Sequence, residues 1–169
     1  VSVIASSFMG MLSGSPISNV VTTGAITIPL MKRVGYPRTF AGAVETAASS
    51  GGTIMPPVMG FAAFLMAGML DIPYRDIMLM AILPAVFYYV MVLMNVIIKA
   101  HELKLVALNK DEMPSVKEVM LSKGHLVIPI ILLVFLLLKG YSPLFAAWWS
   151  IVAVFLSSWI RPSQGMRLR

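Results

Sequence analysis

Charge along this chain is confined to a few short intervals, and that spacing constrains the fold more than any single motif. Residues 1–31, 46–70 and 77–98 contain no Asp, Glu, Lys or Arg, and further apolar runs occupy 126–138 and 144–160. A helix needs roughly 20 apolar residues to cross the hydrocarbon core of a bilayer. Only 12% of the 169 residues are charged and 59% are hydrophobic, whereas ordinary soluble domains are about 25% charged. The chain therefore reads as an all-α integral membrane protein. A soluble enzyme or a nucleic-acid-binding domain is set aside, despite a net charge of +6. With no cysteine, there is no disulfide, thiolate metal site or Cys nucleophile.

The basic residues orient the spans. With 32–38 in the cytoplasm, and 39–70, 77–98, 126–139 and 144–160 each crossing once, eleven of 13 basic residues share one side. These are Lys32, Arg33, Arg38, Lys99, Lys104, Lys110, Lys117, Lys123, Arg161, Arg167 and Arg169, leaving Arg75 and Lys139 outside. That asymmetry satisfies the positive-inside rule, so the +6 marks orientation rather than a nucleic-acid partner. The organisation expected is a re-entrant hairpin and broken helix over 1–73, then a transmembrane helix over 74–98. A cytoplasmic connector, partly helical near the membrane surface, follows over 99–125. Two further transmembrane helices over 126–160, with Trp148, Trp149 and Trp159 suited to interfacial belts, precede a cytoplasmic tail at 161–169. Residue 1 is Val inside an apolar run, so the expectation is an internal piece of a longer chain.

Two apolar segments are interrupted where an ordinary span is continuous. In residues 1–31 the stretch LSGSPISN (Leu12–Asn19) gathers Ser, Gly, Pro and Asn, all poor residues for a helix interior. Thirty-one residues are long for one span and short for two, which favours two half-depth helices meeting at a polar tip over a single kinked span. The second interruption is AASSGGTIMPPVMG (Ala47–Gly60). Gly51 and Gly52 free the backbone, and Pro56-Pro57 removes two donors and drives Met55 out of helical geometry. A helix entering at Pro37 should unwind near 51–57 and resume toward Leu70. Discontinuous helices of this kind bind substrate and coupling ions in secondary transporters, and Ser49, Ser50 and Thr53 add hydroxyl oxygens of the kind a hard cation takes.

Glu45 is the one acid inside a hydrophobic segment, and an intramembrane carboxylate is a functional hypothesis by default. Two roles stand open, a coupling carboxylate or an ion-pair partner of Lys32, Arg33 or Arg38. Its distance of about two helical turns from the basic loop favours the ion pair. Asn95 reads as helix-packing glue. Catalysis finds no support, because His101 and His125 lie in the polar connector and its edge. The 14 methionines lack neighbouring histidine or cysteine, and there is no phosphate-cradling G-x-x-x-x-G-K-[ST].

The run from Met11 to Tyr74, 64 residues, resembles the large membrane subunit of TRAP transporters, the tripartite ATP-independent periplasmic transporters. The S-G-S tip, the I-P-L-M-K-R-V-G-Y exit (Ile28–Tyr36) and the G-G-x-I-M-P-P break (Gly51–Pro57) carry the likeness, and the wording is most similar to the fused-permease, TAXI-type branch. The resemblance implies half of an inverted-repeat elevator transporter, coupled to Na+ and fed with small organic anions by a periplasmic substrate-binding protein. It also implies small-subunit-like helices and a second inverted half elsewhere in the fused chain. The ion and substrate site then falls on Ser13, Gly14, Ser15, Ser18 and Asn19 at the tip and on Ser49, Ser50, Gly51, Gly52, Thr53 and Pro56 at the break. Na+ is taken by Ser13, Ser15, Asn19, Ser49 and Gly52. Beyond Na+ as coupling ion no cofactor is implied, and the localisation implied is a bacterial or archaeal inner membrane. The tip departs from the family in Pro16, where a small residue is common, and Val58 follows the Pro pair where dicarboxylate members commonly carry Ser. The rival reading is a non-transporting membrane scaffold or assembly subunit, in which both breaks are packing kinks.

Overall fold

The computed structural model describes residues 2–105 and 128–159, and these are helical with no strand among them. The chain divides into two units, Val1–Leu108 and Asn109–Arg169, each considered by itself. The first holds α1 (Ser2–Ser13), α2 (Pro16–Val34), α3 (Arg38–Gly51), α4 (Phe61–Leu70) and α5 (Tyr74–Glu102). The second holds α6 (Ile128–Leu138) and α7 (Pro143–Trp159).

Between α1 and α2 only Gly14 and Ser15 intervene, and the two helices double back on each other. Gly14 enters the left-handed region at φ 59°, and Ser15 caps α2 by accepting from the Ser18 amide at 3.4 Å. Pro16 sits at the first helical position, where its missing N–H costs nothing and its fixed φ is already helical. Pro16 thus suits the position that this turn gives it. Contacts pair Asn19 with Ser6 and Gly10, and Val3 joins Met31 in the core, so the arrangement is an antiparallel hairpin rather than one kinked span.

α2 stops in a Schellman motif. Gly35, at φ 112°, donates to Lys32 O, and Tyr36 donates to Met31 O, both at 3.1 Å. The chain turns into α3, which packs on both arms of the hairpin through Ala41, Val44 and Ala48. α5 begins beside the unwound loop and then runs antiparallel to α3. Tyr74 reaches Pro57 and Val58, Tyr88 and Tyr89 reach Ala47 and Ala48, and Tyr36 Oη donates to Val96 O at 3.2 Å. Burial pushes the Tyr36 phenol above its ordinary range, which keeps it a neutral donor. Because Gly35 also lies against Leu105, the basic turn of Lys32, Arg33 and Arg38 shares one end of the unit with Lys99 and Lys104.

At 29 residues, α5 is the one described helix long and apolar enough to cross a membrane; at about 1.5 Å per residue it exceeds a core about 30 Å thick. The uncharged run 77–98 is the middle of this helix, which also takes in the charged flanks Arg75, Asp76, Lys99 and Glu102 and so runs four residues past the expected 74–98. Only a narrow stripe of it is buried, by Tyr74, Ile77, Met78, Ala85 and Tyr89. Most of its other large apolar side chains face outward, the surface a bilayer or neighbouring membrane helices would cover.

α6 and α7 form a second helical hairpin across a short turn. Gly140, at φ 86°, and Tyr141 close α6 with a second Schellman motif on Leu137 and Leu136. Ser142 then caps α7, with Pro143 in its first position. Tyr141 stacks on Phe145, whose ring meets Trp149 edge-on, one helical turn apart along α7. At 11 and 17 residues, these helices are shorter than a full span of about 20. Most of the connector expected over 99–125 and the tail at 161–169 fall outside the described residues.

Candidate functional site

The second interruption begins as a tightening of α3. Gly52, Thr53, Ile54 and Met55 donate to Ser49, Ser50, Gly51 and Gly52 in succession, each three residues back, a narrower winding than the α-helix. That shift takes the Gly52 amide away from Ala48 O, its ordinary helical partner, and Tyr89 Oη donates to this carbonyl at 2.8 Å instead. Tyr88 Oη donates to Ala47 O at 2.9 Å. The loop then passes through Pro56-Pro57, joined by a cis bond, and Met59 at φ 58°. It closes where the Gly60 amide donates to Thr53 O at 2.8 Å. Tyr74 Oη pins the far side at Val58 O (2.6 Å) and Pro57 O (3.0 Å). Helix resumes at Phe61, so the unwound stretch is 52–60, three residues longer at its far end than the expected 51–57.

The hairpin tip packs directly onto this loop. A Cβ on Gly14 would overlap the Met59 carbonyl oxygen, and a Cβ on Gly60 would lie 3.4 Å from Gly14 O. One turn lower, a Cβ on Gly52 would stand 2.5 Å from Gly10 Cα, so here two backbones touch. The carboxyl ends of α1 and α3 and the amino ends of α2 and α4 thereby meet in one place. Carbonyl-bearing ends favour cations and amide-bearing ends favour anions.

The eleven residues expected at this junction divide into four groups. Gly14 meets the loop at Met59 and Gly60, Gly52 meets α1 at Gly10, Thr53 lies against Gly60 within the loop, and Pro56 is half-buried there. Ser13, Ser15, Ser18 and Ser50 stay at their own turns: Ser13 Oγ lies 3.4 Å from Ser15 N, Ser15 caps α2, Ser18 is exposed, and Ser50 O accepts from Thr53 Oγ1 at 2.8 Å. Gly51 faces the other way, and a Cβ there would strike the rings of Tyr88 and Tyr89. Asn19 and Ser49 are both fully buried and point inward, between the helices.

There they join a polar cluster around Glu45, which is 1% exposed. Ser6 Oγ lies 2.8 and 2.9 Å from its two carboxyl oxygens. Thr23 Oγ1 is 2.5 Å from Oε1 and Thr27 Oγ1 2.5 Å from Oε2, while Ser49 Oγ donates to Oε1 at 3.3 Å. Four hydroxyls from three helices therefore surround this carboxyl group. The Thr23 oxygen also lies 2.8 Å from Asn19 O and 3.3 Å from its Oδ1, and Asn19 Nδ2 donates to Ser6 O at 2.7 Å. No buried side-chain nitrogen or oxygen among the described residues lacks a partner.

The ion pair favoured for Glu45 is not what forms. Lys32, Arg33 and Arg38 are exposed at the end of the unit, and the one salt bridge among the described residues joins Lys99 to Glu102. Hydroxyls closer along the helices take the carboxylate instead. Asn95 likewise serves its own helix, donating to Met91 O at 2.8 Å from an exposed position. Ser6, Gly10, Thr23, Thr27 and the tyrosines at 74, 88 and 89 were not singled out from sequence. A signal existed in the spacing of four that puts Thr23 above Thr27 and Glu45 above Ser49, each pair on one helix face.

Interrupted helices whose ends converge inside an outwardly apolar helical unit are the construction of membrane permeases. The model of the family described as "Tripartite ATP-independent periplasmic transporter, DctM component" matches residues 1–169. The chain belongs to that family and is a membrane permease component of a TRAP transporter, the large-subunit type. Comparison with curated proteins and with solved structures yields no match.

Proposed function

We propose that this chain supplies one half of a Na+-coupled importer of small organic anions, carboxylates above all. A periplasmic substrate-binding protein delivers the anion, and small-subunit-like helices and a second inverted half complete the permease. The observation that carries this reading is the junction of hairpin tip and broken helix, with Gly14 against Met59 and Gly60, and Gly10 against Gly52. Irregular backbone at membrane depth is tolerated where it is buried in protein or lines a cavity, and here the two interruptions pack on each other at Gly14, Met59 and Gly60. The carbonyl-bearing ends of α1 and α3, with the oxygens of Ser13, Ser15, Asn19, Ser49 and Gly52, form a hard donor set for Na+. The amino ends of α2 and α4 complement a carboxylate. Because residues 2–31 hold no basic side chain, these helix ends rather than an arginine clamp receive the anion on this side. α1 and α2 enter and leave the inner membrane of a bacterium or archaeon on the cytoplasmic side, and α3 with α4 crosses it as one broken span.

The test is sodium-dependent thermal stabilisation of the complete permease, with choline as the control ion. Sodium raises the unfolding midpoint of the parent protein, and Ser13→Ala weakens that response. A parent protein indifferent to sodium overturns the reading in favour of a scaffold.

A further inference from the structure

Glu45 contacts no residue of the hairpin tip or of the unwound loop, yet it is the only acidic residue among the first 70. Each residue assigned to the sodium site, from Ser13 to Asn19 and from Ser49 to Pro56, is uncharged. Two of them, one from each side of the junction, are nevertheless hydrogen-bonded into the shell of this carboxylate. Ser49 donates to it directly at 3.3 Å. Asn19 is reached through Thr23, whose oxygen lies 2.5 Å from Glu45 Oε1, 2.8 Å from Asn19 O and 3.3 Å from Asn19 Oδ1. The single proton of Thr23 can serve Glu45 or Asn19, not both at once.

Four hydroxyls orient dipoles toward Glu45 and no neighbouring side chain brings a countercharge, so an ionised Glu45 keeps a negative field that only a cation can cancel. The titratable groups on the packed elements do not supply one. α1 has none, Lys32 and Arg33 of α2 and Arg38 of α3 are exposed at the unit's end, and Tyr88 and Tyr89 of α5 are committed to Ala47 O and Ala48 O. In a low-dielectric interior such a field reaches the adjacent site with little screening.

We infer that Glu45 is the positioning residue and countercharge of the sodium site: its charge favours the cation at the tip–break junction, and its hydroxyl shell holds Asn19 and Ser49 in place. This rests on the Na+ reading above. When the cation binds, the Thr23 proton turns toward the carboxylate, and the Asn19 oxygen is released to the ion. Glu45 thereby links occupancy of the site to the clasp that joins α1 and α2 to α3.

Sodium titration of the complete permease, followed by the shift in its unfolding midpoint, tests the assignment. Glu45→Gln keeps the shape and removes the charge, and should raise the half-saturating sodium concentration at least tenfold. Thr27→Val removes one clasp and leaves the charge, and should lower the sodium-free unfolding midpoint while leaving sodium affinity within twofold of the parent. A folded Glu45→Gln protein with parental sodium affinity overturns the inference, as does a Thr27→Val protein that loses affinity equally. If Glu45→Gln does not fold, Thr23→Val decides: a threefold or greater loss of affinity supports the linkage, and an unchanged affinity overturns it. A parent protein that ignores sodium refutes instead the reading on which the inference rests.

Discussion

Gly52→Ala challenges the contact on which the junction depends. The added Cβ would stand 2.5 Å from Gly10 Cα, 2.6 Å from Gly10 C and 2.9 Å from Gly10 O. Carbon atoms in good contact are about 3.5–4.0 Å apart, so α1 must recede by roughly 1 Å. Because the obstacle is backbone, no rotamer change relieves it. Overpacking of this kind costs about 1–3 kcal/mol. The same displacement draws Ser6 away from Glu45, where its Oγ now lies 2.8 and 2.9 Å from the carboxyl oxygens. A hydrogen bond to a charged group contributes about 1.5–3 kcal/mol, so the combined loss is about 2.5–6 kcal/mol. For a protein of this size that lowers the unfolding midpoint by about 10 °C. Gly42→Ala is the control, since it lies within α3 and a Cβ there meets nothing within 4 Å. It should hold stability or add about 0.5–1 kcal/mol through helix propensity. Thermal unfolding of the purified permease in detergent, followed by circular dichroism, compares the two. Equal midpoints for Gly52→Ala and Gly42→Ala would refute the close approach of α1 to the end of α3.

Tyr89→Phe removes the donor to Ala48 O while keeping the ring, leaving a buried carbonyl unsatisfied. The expected loss is about 1–3 kcal/mol, read as a lower unfolding midpoint, and an unchanged midpoint would mean that water or another donor replaces it. Cysteines placed singly at positions 2 and 32 in this otherwise cysteine-free stretch should react with a membrane-impermeant maleimide from the same side of the membrane. Labelling from opposite sides would contradict the re-entrant hairpin.

Much of the architecture was legible because it depends on local chemistry. The tip at Gly14-Ser15 and the end of α3 at Gly51 follow from residues that abandon helical geometry wherever they stand. The uncharged intervals announce membrane segments without reference to any partner. Span ends were less legible: Lys99 and Glu102 look like connector residues by charge, yet they lie within α5, since charge ends a membrane segment without ending a helix.

The site divides along the same line. Which residues would be irregular and polar, around Ser13–Asn19 and Ser49–Pro56, could be read in the linear order of side chains. Which of them face one another could not. Gly10, unremarkable within its helix, matters because Gly52 lies against it. Gly51, adjacent in sequence, turns instead toward Tyr88 and Tyr89. Glu45 sits nearest in sequence to basic residues, and proximity along the chain favoured them as partners. The fold chose Ser6, Thr23, Thr27 and Ser49, because closing α1, α2 and α3 into one bundle carries these hydroxyls inward and leaves the lysine and arginines at the rim. Composition and spacing are properties of the chain taken one segment at a time, and they establish a membrane protein with two interrupted helices. The satisfaction of a buried charge is a property of three segments at once, and only their packing settles it.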